Sequence, residues 1–175
     1  KVYIRLHCTG QSSPVLNTDQ IYTEYAVTSR TVGYDGGMVW VDTADGTAGT
    51  ESFVNGVADN AVLSFTDALT IASNVGLHQF YLSPDSTLAP AADLNNVNIY
   101  GVGYTFNLGG FDYAGTHVYH ASPVNGIATS ANNSDHFDLL DSIVNDITVD
   151  DSHFTNCSFT GTVTFGSVAS NIRVI

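Results

Sequence analysis

Asn98-Ile99-Tyr100, His117-Val118-Tyr119, Ile147-Thr148-Val149 and Phe154-Thr155-Asn156 are short apolar segments set in polar, turn-rich sequence, and they return at a nearly constant interval. One series of such positions, Leu82, Ile99, Val118, Phe137, Phe154 and Ile172, is spaced by 17, 19, 19, 17 and 18 residues. A second series, Phe106, Ile127, Ile147 and Val163, runs between them at 21, 20 and 16. Each segment is three to six residues long and rich in β-branched and aromatic side chains, which favours a strand over a helix. Strands this short cannot bury a face alone. Two interleaved series repeating about every 18 residues therefore predict a solenoid whose coils each give one strand to each of at least two sheets, a parallel β-helix. Coils stacked at about 4.8 Å would align equivalent residues into apolar ladders inside the tube and polar ladders outside. An antiparallel sandwich with a strand about every eight to twelve residues is the alternative.

The punctuation fits corners. Gly101, Gly103, Gly109, Gly110, Gly115, Gly126, Gly161 and Gly166, with Asn95, Asn96, Asn132, Asn133 and Asn156, fall between the apolar segments, where a chain that changes direction often needs positive φ.

Residues 1–32 read as a separate unit. Val2, Ile4 and Leu6 alternate with Tyr3, Arg5 and His7, and alternation returns over residues 21–27 after a polar link, so a small β-strand pair or attachment unit is expected there. Such a pair is marginal alone and would have to dock on something. The solenoid with its cap is expected over residues 33–175. Gly33-Tyr34-Asp35-Gly36-Gly37 marks the hinge, and Met38-Val39-Trp40-Val41-Asp42 a strong strand. Ser64 is a good N-cap with Asp67 three residues on, Phe65, Ala68, Leu69, Ala72 and Val75 share one helical face, and Gly76 ends the helix at C′. This one short helix would cover the first coil and block edge pairing there. The strand-like end, Asn171-Ile172-Arg173-Val174-Ile175, has no cap after it, which suggests that the natural chain continues.

The 175 residues are 43% hydrophobic and 11% aromatic, enough for a real core, yet the net charge is −13. Four basic residues face 17 acidic ones and no basic patch exists, so nucleic acid and anionic membrane surfaces are poor partners. No apolar run is long enough to span a bilayer, and no signal-peptide pattern opens the chain. Such acidity suits solubility, or a salty or calcium-containing medium outside a cell.

Val39-Trp40-Val41-Asp42-Thr43, the Gly/Thr-rich loop after it, Asp59-Asn60-Ala61-Val62, the helix with Ala68-Leu69 and Ala72, Gly76, and then Gly101-Val102-Gly103 resemble the N-terminal cap and first coils of the pectin-lyase-like right-handed β-helix superfamily. More narrowly, residues 33–175 resemble a β-helical module of structural proteins from tailed bacteriophages. The resemblance implies an all-β, right-handed parallel β-helix in a virion component, often a trimer, serving in a tail, fibre or head appendage beside other virion proteins. A host surface glycan or receptor would then be an outside partner.

Catalytic groups are sparse. In lyases of that superfamily an Arg or Lys abstracts a proton beside calcium-binding Asp residues, but this chain has no Lys or Arg between Arg30 and Arg173. Asp135, Asp138, Asp141, Asp146, Asp150 and Asp151 could supply the carboxylate pair of a glycosidase tailspike, or simply form turns and a solvated face. Asp42, Asp45 and Glu51 resemble a calcium loop only loosely. His117, His136 and His153 each precede a ladder position, so they are expected to stack on three successive coils of the outer face, with Asn98 and Asn171 extending the row. That row is either a polar ladder or a site for a divalent cation. Tyr100, Tyr104, Tyr113 and Tyr119 as outer-face aromatics would favour a homotrimer that buries them, although three copies together carry about −39. Cys8 and Cys157 make no disulfide framework, and Cys157 is expected to tuck inward as a small apolar residue. The readings to be separated are a non-enzymatic virion spacer, a polysaccharide-degrading tailspike and a cellular surface adhesin.

Overall fold

Alternation of inward and outward residues turns the short apolar segments into strands, and the strands stack in parallel. The computed structural model describes residues 33–129, 136–166 and 172–175. The chain divides between Arg30 and Thr31, and the described residues belong to the second unit. The strand pair expected over residues 1–32, with Cys8, lies outside the described residues, as do Asn132, Asn133, Asp135 and Asn171.

The first sheet contains β1 (Val39–Val41), β2 (Gln79–Leu82), β4 (Asn98–Gly101), β6 (His117–Tyr119), β8 (Phe137–Leu140), β10 (Ser152–Thr155) and β13 (Arg173–Val174), hydrogen-bonded in that order. The second contains β3 (Thr87–Leu88), β5 (Thr105–Asp112), β7 (Val124–Thr129) and β9 (Ile143–Val149), in that order, followed by β11 (Ser158–Phe159) and β12 (Val163–Phe165), which both pair with β9. Every strand pairing is parallel. From β2 to β11 successive strands alternate between the two sheets, so each coil gives a strand to each, and the chain is an all-β parallel solenoid with one α-helix among the described residues.

The register differs from the spacing-based ladder in a systematic way. The inward row is Val39, Phe80, Ile99, Val118, Leu139, Phe154 and Val174. Ile99, Val118 and Phe154 sit in it as expected, but Leu82 pairs with Gly101, Phe137 pairs with Ser152, and Ile172 lies two residues before the aligned Val174. Each misplacement is by two residues. Positions i and i+2 of a strand share a face, so Leu82 and Phe137 are still buried although they belong to the neighbouring row. In the second sheet Ile147 pairs with Val163, whereas Phe106 pairs with Val124 and Ile127 is exposed. Irregularities between Gly109 and Phe111 and between Val124 and Gly126 shift the register there, and no residue count could anticipate them.

The core is a continuous apolar column in which Ile99, Phe106, Val118, Val124, Leu139 and Val144 are fully buried. Each such side chain contributes about 1.5–3 kcal/mol relative to exposure. Two of the four tyrosines expected outside belong to this column: Tyr104 and Tyr113 are fully buried, and Tyr113 lies 5.5 Å from Phe106 and 5.0 Å from Phe137 between ring centroids. Cys157 is half-buried, its Sγ 3.3 Å from the Leu139 carbonyl oxygen, and burial raises the thiol pKa.

Corners use positive φ at Gly103 and Gly115 and at Asn96 and Asn156, while Gly110 and Gly126 take it at the irregularities inside β5 and β7. His120 and Asp141 adopt it as well, at the ends of β6 and β8. At Asp141 and Asn156 the corners are tied together: Asn156 Nδ2 donates to Asp141 Oδ1 at 2.6 Å. Gly126 is the tightest case, because φ is 101° and a Cβ there would collide with the Leu108 carbonyl oxygen.

The helix α1 (Phe65–Val75) forms where the caps place it. Ser64 Oγ accepts from Asp67 N at 3.1 Å, and Gly76 closes the helix in the left-handed region. Asp67 does not complete a reciprocal capping box; its carboxylate accepts from Gly49 N at 3.3 Å, pinning the preceding loop instead. The buried face is Phe65, Ala68, Ile71, Ala72 and Val75, with Ile71 fully buried and Leu69 only partly so. Phe65 meets Phe80 at 4.9 Å. The outer edge of β1 is taken up by the loop before the helix: Trp40 N donates to Gly56 O, Val62 N to Trp40 O and Asp42 N to Val62 O, at 2.8, 3.0 and 2.9 Å. The last coil is the opposite case, with Phe159, Phe165, Val174 and Ile175 exposed.

Two outcomes test this architecture. Ser64→Ala should lower unfolding free energy by about 1 kcal/mol with an unchanged urea m-value, since one buttressing hydrogen bond at the cap is lost. Burial pushes the Tyr113 hydroxyl up to about 12, and Tyr104 higher still. The unfolded chain releases those protons near pH 10, so stability is intact below about pH 10 and falls as the pH rises toward 12. Tyr113→Phe should flatten that fall when urea midpoints are compared across the same range; an equally steep decline would show that this phenol is ionisable in the folded state.

Candidate functional site

The outward side of the seven-stranded sheet gathers the polar and aromatic residues that no core requirement explains. Its strands alternate, so each contributes residues to two parallel outward rows running along the solenoid. One row is Gln79, Asn98, His117, Asp138, His153 and Arg173, each aligned with the next by strand pairing. The other begins Trp40, Tyr81, Tyr100, and Tyr119 follows from the register of β4 and β6.

The histidine row takes a different form from the expected one. Asp138, not His136, occupies the coil between His117 and His153, because β8 is in register two residues further along than the apolar spacing implied. His117 Nδ1 donates to Asp138 Oδ2 at 2.8 Å, and His153 Nδ1 approaches Asp138 Oδ1 to 3.2 Å, out of line for a full hydrogen bond. His136 precedes β8, and its ring still packs against His153 with centroids 4.1 Å apart. Its Nδ1 is buried without a hydrogen-bond partner. One carboxylate thus orients two imidazoles from the coils on either side of it, a polar clasp across β6, β8 and β10. A neutral ring that donates through Nδ1 keeps Nε2 as its acceptor. Among the described residues no three or more His, Cys, Asp or Glu side chains come together as a group that could hold a metal ion.

The aromatic row is built of two pairs. Trp40 and Tyr81 meet at 4.2 Å with a 35° tilt, and Tyr100 and Tyr119 stack at 4.7 Å and 12°. Tyr81 and Tyr100 are aligned by the backbone but do not stack on one another. All four rings are half-buried. Burial raises the pKa of the Tyr119 hydroxyl, with smaller contributions from Tyr100 and Asp138.

The outer face of the second sheet is chemically different. Asn125 Nδ2 donates to Asn107 Oδ1 at 3.2 Å and Asn145 Nδ2 to Asn125 Oδ1 at 3.1 Å, so these amides satisfy one another along an asparagine ladder.

The remaining acidic candidates scatter. Asp141 turns a corner, Asp146 Oδ1 accepts from Thr162 N at 2.8 Å, and Asp150 and Asp151 follow β9. Asp112, Asp150 and Asp151 line one pocket with Ser152, but the space between them admits no water molecule. Asp42, Asp45 and Asp59 line an open cleft of about 250 Å³, from which Glu51 is absent; Asp42 Oδ1 is already accepting from Ala44 N and Asp45 N. Asp138 stood in the sequence only as one of six acidic candidates and Tyr100 and Tyr119 as outer-face aromatics; that Asp138 joins the histidine row, and that Trp40 and Tyr81 join Tyr100 and Tyr119, depends on register.

No known protein family matches the chain, and no curated protein or solved structure matches it. No helix among the described residues is long and apolar enough to cross a membrane.

Asp138→Asn should test the clasp. It keeps the shape but removes the charge that two imidazoles face, and at neutral pH it should cost about 1 kcal/mol in urea unfolding. Asp45→Asn, on an exposed loop, should change stability by less than about 0.5 kcal/mol.

Proposed function

We propose that this chain is a non-enzymatic structural protein of a bacteriophage virion, a stiff β-helical spacer in a tail, fibre or head appendage whose outer faces can contact the host surface. The observation that carries this reading is the unbroken parallel stacking of the seven-stranded sheet from Val39 to Val174. A solenoid of this kind gains length by adding coils without new topology, and each coil stiffens the next. The resemblance of residues 33–175 to phage β-helical modules supplies the setting, and the acidic balance suits an extracellular particle.

A homotrimer is part of the same proposal. Val102 and Ile127 are 61% and 51% exposed, and Tyr100 and Tyr119 are only half-buried, so a lone chain presents apolar surface that threefold packing would cover. The glycosidase reading has one feature in its favour, the buried Asp112 and Asp151 lining a common pocket. That pocket is too tight to admit a water molecule, and a glycosidase needs its carboxylates about 5–9 Å apart across a sugar-sized cleft.

Light scattering of the full chain at low and high salt, with and without calcium, should give the mass of a trimer, and small-angle scattering an elongated particle. A monomer under all four conditions would remove the trimer. Release of reducing sugar from capsular or lipopolysaccharide substrates would overturn the non-enzymatic assignment.

A further inference from the structure

We propose that the corner pocket lined by Asp112, Thr129, Asp151 and Ser152 is a calcium site that fastens three coils of the solenoid together. It concerns the interior of the stack and stands apart from the surface-contact reading above.

The four residues come from one corner at successive levels. Asp112 ends β5 and Thr129 ends β7, two positions aligned by strand pairing, while Asp151 follows β9 and Ser152 opens β10. A ligand held by all four would span the coils of β5, β7 and β9. Asp112, Asp151 and Ser152 are only 7%, 2% and 1% exposed. A carboxylate so buried needs hydrogen bonds or a counter-charge. Asp112 Oδ1 accepts from Ala114 N at 3.1 Å, and Asp112 forms no ion pair with any described residue. No Lys or Arg occurs between Arg30 and Arg173, so the coils around the pocket carry no permanent positive charge. Ser152 is the independent sign of a ligand. It lines the same pocket, and its buried Oγ has no hydrogen-bond partner among the described residues. A hydroxyl left in that state has lost its water without replacement, and ligation to a cation would restore what it lacks.

Size and donor type select the ion. The pocket admits no water molecule. Water sits about 2.8 Å from an oxygen partner, whereas calcium binds oxygen at about 2.3–2.6 Å, so a pocket closed to water is still within the reach of a dehydrated calcium ion. Magnesium keeps its waters and demands shorter bonds, which this pocket does not favour. The donors are carboxylate and hydroxyl oxygens, hard ligands that suit calcium and not zinc or copper. Two carboxylates and two hydroxyls suffice, so the site does not require three acidic side chains to converge. Asp150 also lines the pocket and adds to its negative potential. With no basic side chain beside it to abstract a proton, the ion's role is to hold coils in place.

The test uses the full chain, stripped of metal with a chelator, and terbium as a luminescent substitute for calcium. Tyr113 lines the pocket and is placed to sensitise terbium emission. Terbium should bind and emit on tyrosine excitation, calcium should displace it, and magnesium at the same concentration should not. Calcium should also raise the urea midpoint, because it binds the folded chain alone. Asp112→Asn should weaken calcium binding by about tenfold or more and Ser152→Ala by several-fold. Asp59→Asn, in the open cleft shared with Asp42 and Asp45, should leave binding unchanged. Circular dichroism checks each fold; if Asp112→Asn does not fold, Ser152→Ala against Asp59→Asn decides.

A lack of sensitised emission together with an unmoved urea midpoint would overturn the site. So would an equal response to magnesium, or equal losses in Ser152→Ala and Asp59→Asn. A calcium effect that grows with protein concentration and raises the native mass would put the ion between copies and overturn it as well; a raised midpoint at unchanged mass supports it.

Discussion

The in-register parallel stacking of one coil on the next is the constraint from which the rest of this structure follows. Strands of two to eight residues cannot bury a face or satisfy their backbone alone, so each depends on the coils above and below for both. Identical spacing then forces side chains into rows. A residue is chosen less for its own environment than for what its row can hold: apolar in the column through Ile99, Val118 and Leu139, amide in the ladder through Asn125, aromatic beside Tyr100.

Row logic also explains why the ends and corners carry the exceptions. The first strand would expose an edge, and it is covered by the Gly56 and Val62 backbone with α1 packed behind it. Corners need positive φ, and the chain meets that need with glycine at Gly103 and Gly115 but with Asn156 and Asp141 where side chains can bond across the corner; inside β7 the same conformation falls to Gly126, where backbone approaches closely. The clasp of His117, Asp138 and His153 is a row solution as well: alternating a carboxylate with imidazoles avoids stacking three like groups that would repel on protonation.

The two outer faces divide the work. The asparagine ladder closes on itself and contributes to holding coils together, so it offers little to a partner. The seven-stranded face carries two packed ring pairs, Trp40 with Tyr81 and Tyr100 with Tyr119, beside the aligned amides of Gln79 and Asn98.

Periodicity alone determined the class of fold. A recurrence of about 18 residues with period-two alternation has few physical solutions, and Ser64 and Gly76 marked the helix ends because caps are local chemistry. Which residue of an alternating segment enters a row was not determined, since Leu82 and Phe80, or Phe137 and Leu139, are equivalent to any count of faces. Only the backbone ladder, with its bulges and unequal corners, chose between them. That choice placed Asp138 where His136 was expected, sent Tyr104 and Tyr113 inward, and aligned Trp40 with Tyr81 across 41 residues of sequence. A two-residue slip leaves burial intact yet changes every neighbour along a row, which is why the core was legible in the sequence and the outer face required the tertiary structure.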